Sequence, residues 1–120
     1  MAEEYFIVDL RHDWRRHPYI SLWRPNNANY AWPLPWAGRY SKQIIDEHAA
    51  YYTRTDELKG SSFIRFPVPC SFIEALATAM PEPGLIDGNI GPVLINDAVT
   101  RAALRRARYA SPDLASLNRG

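Results

Sequence analysis

Apolar and polar positions alternate at the start of this chain and then change to a helical rhythm. Residues 5–10 (YFIVDL) place Phe6, Val8 and Leu10 on one face of an extended segment. That all-apolar face predicts a strand with its core side there, and Tyr5, Ile7 and Asp9 on the other side. The charged run 11–18, ending in Pro18, reads as the connection of a hairpin, and residues 19–23 (YISLW) as its second strand. Arg24-Pro25-Asn26-Asn27-Ala28-Asn29 has turn chemistry, because Pro fixes φ and Asn tolerates the left-handed region. A short third strand over 30–32 follows, ended by Pro33 and Pro35, which lack a ladder donor. The first half is thus expected to be a three-stranded antiparallel meander over residues 5–34.

Ser41 is a good N-cap, and Ile44, Ile45, His48, Tyr51 and Tyr52 recur at helical spacing over 42–52. The polar segment 53–62 reads as a loop, and 63–68 (FIRFPV) as a fourth strand whose Pro67 calls for an edge or an end. Ser71 and Glu74 spell a capping box ahead of a helix over 72–80, which Pro81, Pro83 and Gly84 terminate. Residues 81–92 form a long Gly- and Pro-rich loop, 93–95 a short apolar segment. Asn96 or Asp97 is the expected cap of a last helix over 98–110. The expected class is α+β: a small antiparallel N-terminal sheet of about four strands packed against two or three helices, with the helices on one face.

Composition adds bounds. At 120 residues, residues 1–120 are expected to make a single domain. A net charge of +1 gives no global field to draw in a long nucleic acid. One cysteine, Cys70, leaves no intrachain disulfide and points to a reducing setting. The acidic start without a basic n-region predicts no secretory signal, and the short apolar runs predict no membrane span, so a cytoplasmic protein is expected.

Candidate chemistry concentrates in two places. Residues 19–40 hold three of the four Trp and three of the seven Tyr, with Arg24 and Arg39 as the only charges. They read either as core or as a stacking platform with Trp23 and Arg24 at its corner. The last helix carries Arg101, Arg105 and Arg108 on one face and Arg106 beside it. This is either a solvated face near the negative helix end or an anion-binding stripe. The Asp87-Gly88-Asn89 loop and Arg54 are further candidates. Cys70 and the three His show no nucleophile or zinc spacing, and no P-loop or dinucleotide fingerprint occurs. No enzymatic activity, cofactor or metal is therefore expected.

The segments LWRPNNANY and WAGRY, within residues 22–40, resemble a motif of small phage and prophage proteins. In length and element order the chain is similar to the first family of Thoeris anti-defence sponges. The resemblance implies a phage counter-defence protein acting in the host cytoplasm. It would bind cyclic ADP-ribose isomers, and in some members cyclic trinucleotides at separate sites, without cleaving them. It implies a homo-oligomer, dimeric or higher, and carries Arg54, Asn89 and Arg106 over as binding positions. The expected ligand-binding set is then Trp23, Arg24, Asn26, Arg54, Asn89, Arg105 and Arg106. The competing readings are a protein inhibitor of a host defence complex using residues 19–40, and a small hydrolase or transferase.

Overall fold

The computed structural model describes residues 3–11, 17–56, 62–82 and 91–112. Its centre is strand β1 (Glu4–Asp9), which has neighbours on both edges. On one edge lies β2 (Ser21–Trp23), registered Val8 to Leu22 and Asp9 to Ser21, with β3 (Tyr30–Ala31) beyond it. The two-residue β4 (Tyr40–Ser41) continues that edge, with Tyr5 opposite Tyr40. The other edge is taken by β6 (Ser62–Pro69), and β5 (Arg54–Asp56) lies outside it. All pairings are antiparallel, in the order β3-β2-β1-β6-β5. With the helices this is the α+β architecture expected, and the meander of the first three strands is present.

The layering differs from expectation. Every residue of β1 from Tyr5 to Asp9 is buried, so both faces of the strand are covered. Phe6, Val8 and Leu10 join Phe66, Val68, Ile73 and Leu104 in the larger cluster. There the sheet packs on α3 (Cys70–Leu76) and α4 (Ala98–Arg106). Tyr5 and Ile7 join Trp23, Tyr40, Ile45 and Tyr52 on the opposite face, beneath α1 (Lys42–Glu47) and α2 (Ala49–Tyr52). Alternation marks which residues share a face, but a second covered face built of Tyr, Trp and one Asp looks polar in sequence.

Caps and breaks explain the helix boundaries. Ser41 accepts from Ile44 N at 3.2 Å, and Asp97 accepts from Thr100 N at 2.7 Å, so both helices start where a side chain satisfies an orphan amide. The helix expected over 42–52 is broken at His48, whose φ of −130° and ψ of 45° end α1 and start α2. The capping box at Ser71 is not formed: α3 begins at Cys70, Ser71 Oγ donates to Glu3 and Glu74 accepts from Arg39. Pro69 immediately precedes that first turn and fixes its start.

The segment read as a loop at 53–62 contains β5, an edge strand whose polar residues gave no alternating apolar signal. A bulge offsets the β5–β6 register: Arg54 faces Arg65 while Thr55 faces Phe63. The extra residue turns Phe63 to the same side as Phe66, and their rings meet edge-on at 6.4 Å. Beyond Arg65, β6 has no described strand on its outer edge; there Tyr109 N donates to Pro67 O. Pro67 therefore sits where its missing N–H costs nothing, as its type requires.

Candidate functional site

The residues of the WRPN and AGRY segments fold onto one another. Ala28 N donates to Pro25 O at 3.2 Å and closes a tight left-handed turn, and Asn26, Asn27 and Asn29 have φ of 60°, 59° and 56°. Asn is the non-glycine residue that adopts this region most readily, which explains its repetition here. Gly38 N donates to Trp23 O at 2.8 Å, and a Cβ on Gly38 would lie 2.6 Å from Pro25 N. Only glycine lets the two segments approach so closely. Tyr40 Oη donates to Arg24 O at 2.6 Å and accepts from Asn27 N at 2.9 Å. Tyr52 Oη donates to the Asn27 side chain at 2.9 Å. Burial pushes the Tyr40 and Tyr52 phenols above their ordinary range, so both stay protonated and able to donate.

Beside this turn, between it and α1–α2, lies a cleft of about 610 Å³. That volume falls within the range of roughly 300–1,000 Å³ common to small-ligand sites. Pro25, Asn26 and Asn27 line one side, Ile44, His48 and Tyr51 the other. Tyr40 and Tyr52 belong to the same wall, and Arg39 is the one charged residue of the described lining. Tyr51 is 49% exposed and Ile44 44%, so this wall offers open apolar surface. Tyr51 is held by ring contacts with Tyr52 at 5.3 Å and Trp23 at 5.6 Å. Arg39 bonds Glu74 at 3.0 Å and also borders a smaller depression of about 400 Å³ near Leu34 and Pro92. The cleft can offer the Tyr51 ring for stacking and amide edges at Asn26 and Asn27, whereas the Arg39 guanidinium turns to Glu74 and lies 5.2 Å from the Phe6 ring centroid on the other side of the sheet.

The sequence-derived candidates are not gathered here. Asn26 lines the cleft. Trp23 does not present its ring: it is buried, and its indole N–H donates to Asp9 at 3.1 Å. Arg24 Nε donates to Tyr30 O at 2.9 Å, and its guanidinium lies 5.0 Å from the Trp36 ring centroid. Arg54 is exposed on β5, away from the cleft lining. The arginines of α4 turn to local partners: Arg101 to Asn96, Arg105 Nε to Phe63 O, and Arg108 to Arg105 O while stacking 3.9 Å from the Phe63 ring. Arg106 is exposed at the helix end. Asn89, with Asp87 and Gly88, lies outside the described residues.

The α1–α2 wall of the cleft was visible in the sequence only as a helical stripe. Ile45 and Tyr52 of that stripe are buried, whereas Ile44, His48 and Tyr51, spaced i, i+4, i+7, face outward. That outer row was the available signal. Cys70 is buried, and burial pushes its thiol up to about 12, the opposite of an activated thiolate. Among the described residues no group of His, Cys, Asp and Glu could hold a metal ion, and no helix is long and apolar enough to cross a membrane. No protein-family model matches the chain, and no curated protein or solved structure matches it significantly.

Proposed function

We propose that this protein binds and sequesters a cyclic nucleotide signal, of the cyclic ADP-ribose isomer class, without cleaving it. A cyclic oligonucleotide is the related alternative ligand. The cleft between the Asn26–Asn27 turn and Tyr51 carries the reading. Its rings suit a planar base, each base–ring stack contributing about 1–3 kcal/mol. Asn26 and Asn27 supply amide groups for hydrogen bonds. The motif resemblance adds the class of ligand, a phage counter-defence role in the host cytoplasm, and a homo-oligomeric assembly. These belong to the proposal.

A protein inhibitor acting through residues 19–40 has less support. Half of the apolar side chains it would use, among them Tyr19, Ile20, Leu22, Trp23 and Tyr40, are buried. A cleft variant and a released-ligand assay separate the readings. Protein exposed to cyclic ADP-ribose isomers is desalted, heat-denatured, and its filtrate analysed by mass spectrometry. Intact ligand, absent from a Tyr51→Ala preparation, supports sequestration. Hydrolysed ligand assigns an enzyme. A host protein co-purifying with no nucleotide assigns the inhibitor.

A further inference from the structure

Ser21, Asp9, Arg65 and Arg54 are successive register partners and form one polar rung across β2, β1, β6 and β5. Register partners point to the same face, so Arg54 and Arg65 stand side by side. Like charges directly opposite in an antiparallel pair repel. Asp9, fully buried, is the carboxylate of this rung, and its oxygens are already engaged. Oδ2 accepts from Trp23 Nε1 at 3.1 Å and lies 3.5 Å from Arg11 Nε, while Oδ1 accepts from Arg11 N at 3.2 Å.

Arg65 is 8% exposed, with its guanidinium 5.2 Å from the centroids of both the Trp23 and Tyr51 rings. Its Nε is buried and has no hydrogen-bond partner among the described residues. A buried donor left without an acceptor has lost its water without gaining a partner, which is destabilising. The β-bulge falls between Arg54 and Thr55, a device that re-aims side chains beside binding sites. Arg11 and Arg65 thus flank the Asp9 carboxylate, Arg54 stands beyond Arg65, and the ring-held Arg65 has an unused donor.

We propose that Arg65 and Arg54 form a subsite for an oxyanion, a phosphate group in particular, at the Asp9 end of the sheet. The edge-to-face Trp23–Tyr51 pair packs beside the Arg65 fork and holds it in place, so little side-chain freedom is lost on binding. Arg54, exposed on the edge strand, supplies the second fork. An oxyanion there relieves the repulsion across the β5–β6 pair and accepts from Arg65. The subsite stands whether or not the cleft holds a nucleotide, because a bare oxyanion suffices to test it.

The test titrates the full chain with inorganic phosphate and with pyrophosphate at constant ionic strength. The arginine Nε–H resonances and tryptophan fluorescence are followed. Saturable binding is expected, with the Arg65 Nε–H signal shifting and Trp23 emission changing. Arg54→Gln, on an exposed edge position, is expected to fold as the wild type and to bind about tenfold more weakly or worse. Arg65→Lys keeps a cation beside the rings but removes the fork, and is expected to lose affinity similarly. Wild-type protein that shows no saturable phosphate or pyrophosphate binding overturns the proposal. Binding that is unchanged in folded Arg54→Gln overturns it as well.

Discussion

Gly38 and Pro25 meet backbone to backbone: a Cβ on Gly38 would lie 2.6 Å from Pro25 N, 2.7 Å from its Cα and 2.9 Å from Arg24 C. The obstructing atoms are all main chain, so no side chain can swing away. Gly38→Ala must push the 25–27 turn off the strand end, and with it the Tyr40 hydrogen bonds to Arg24 O and Asn27 N. We expect a loss of about 1–3 kcal/mol, as for other overpacked sites. The melting temperature should fall by several degrees, and ligand binding at the cleft should fall with it. Urea unfolding curves of the two proteins measure this; coincident midpoints contradict the close contact.

Asp46 ties the segment after α4 to α1. Its Oδ1 accepts from Tyr109 Oη at 2.8 Å and Ser111 Oγ at 2.6 Å, and its Oδ2 from Lys42 at 2.7 Å. Burial disfavours the ionised carboxyl, but the hydrogen bonds from Lys42, Ser111 and Tyr109 outweigh it and hold the pKa below the usual range. A folded-state pKa below the unfolded one gives stability that is complete above the unfolded value near about 4 and is lost as pH falls through the folded value. Asp46→Asn should therefore be less stable than wild type at neutral pH, by about 1 kcal/mol. That difference should shrink in acid. Denaturant midpoints for both proteins across acid and neutral pH provide the check, and a gap that widens in acid would contradict it.

Cys70 lies in the larger core cluster with its thiol pushed up to about 12. At neutral pH the thiolate is a negligible fraction, and the sulfur is covered. Native protein should react with an aromatic disulfide reagent only through unfolding, at a rate independent of reagent concentration when reagent is abundant. Fast, second-order modification of the native state would show an accessible thiol instead.

Much of this architecture was legible because local chemistry and tertiary structure agree. Ser41 and Asp97 announce their helices, and three Asn around Pro25 announce a turn that needs positive φ. What stayed hidden depended on partners remote in sequence. Asp9 looks like a solvent position until Trp23 Nε1 and Arg11 reach it. β5 is polar because its pairing with β6 is made by backbone, and Ser71 prefers Glu3 to the amide a capping box would use. The cleft was half legible, since the stripe 44–52 was visible but not that its outer row faces the Asn turn. Trp23 was misleading because a large ring in a motif reads equally as platform or core, and only burial decides.

Calorimetric titration with cyclic ADP-ribose isomers, on wild type and on His48→Ala and Tyr51→Ala, tests the central claim most directly. Both residues are exposed on α1–α2, so the variants should fold. The account predicts saturable, micromolar or tighter binding to wild type, and loss of about 1–3 kcal/mol when the Tyr51 ring is removed. Absence of binding to any cyclic ADP-ribose isomer or cyclic trinucleotide, or binding that neither substitution alters, would contradict it.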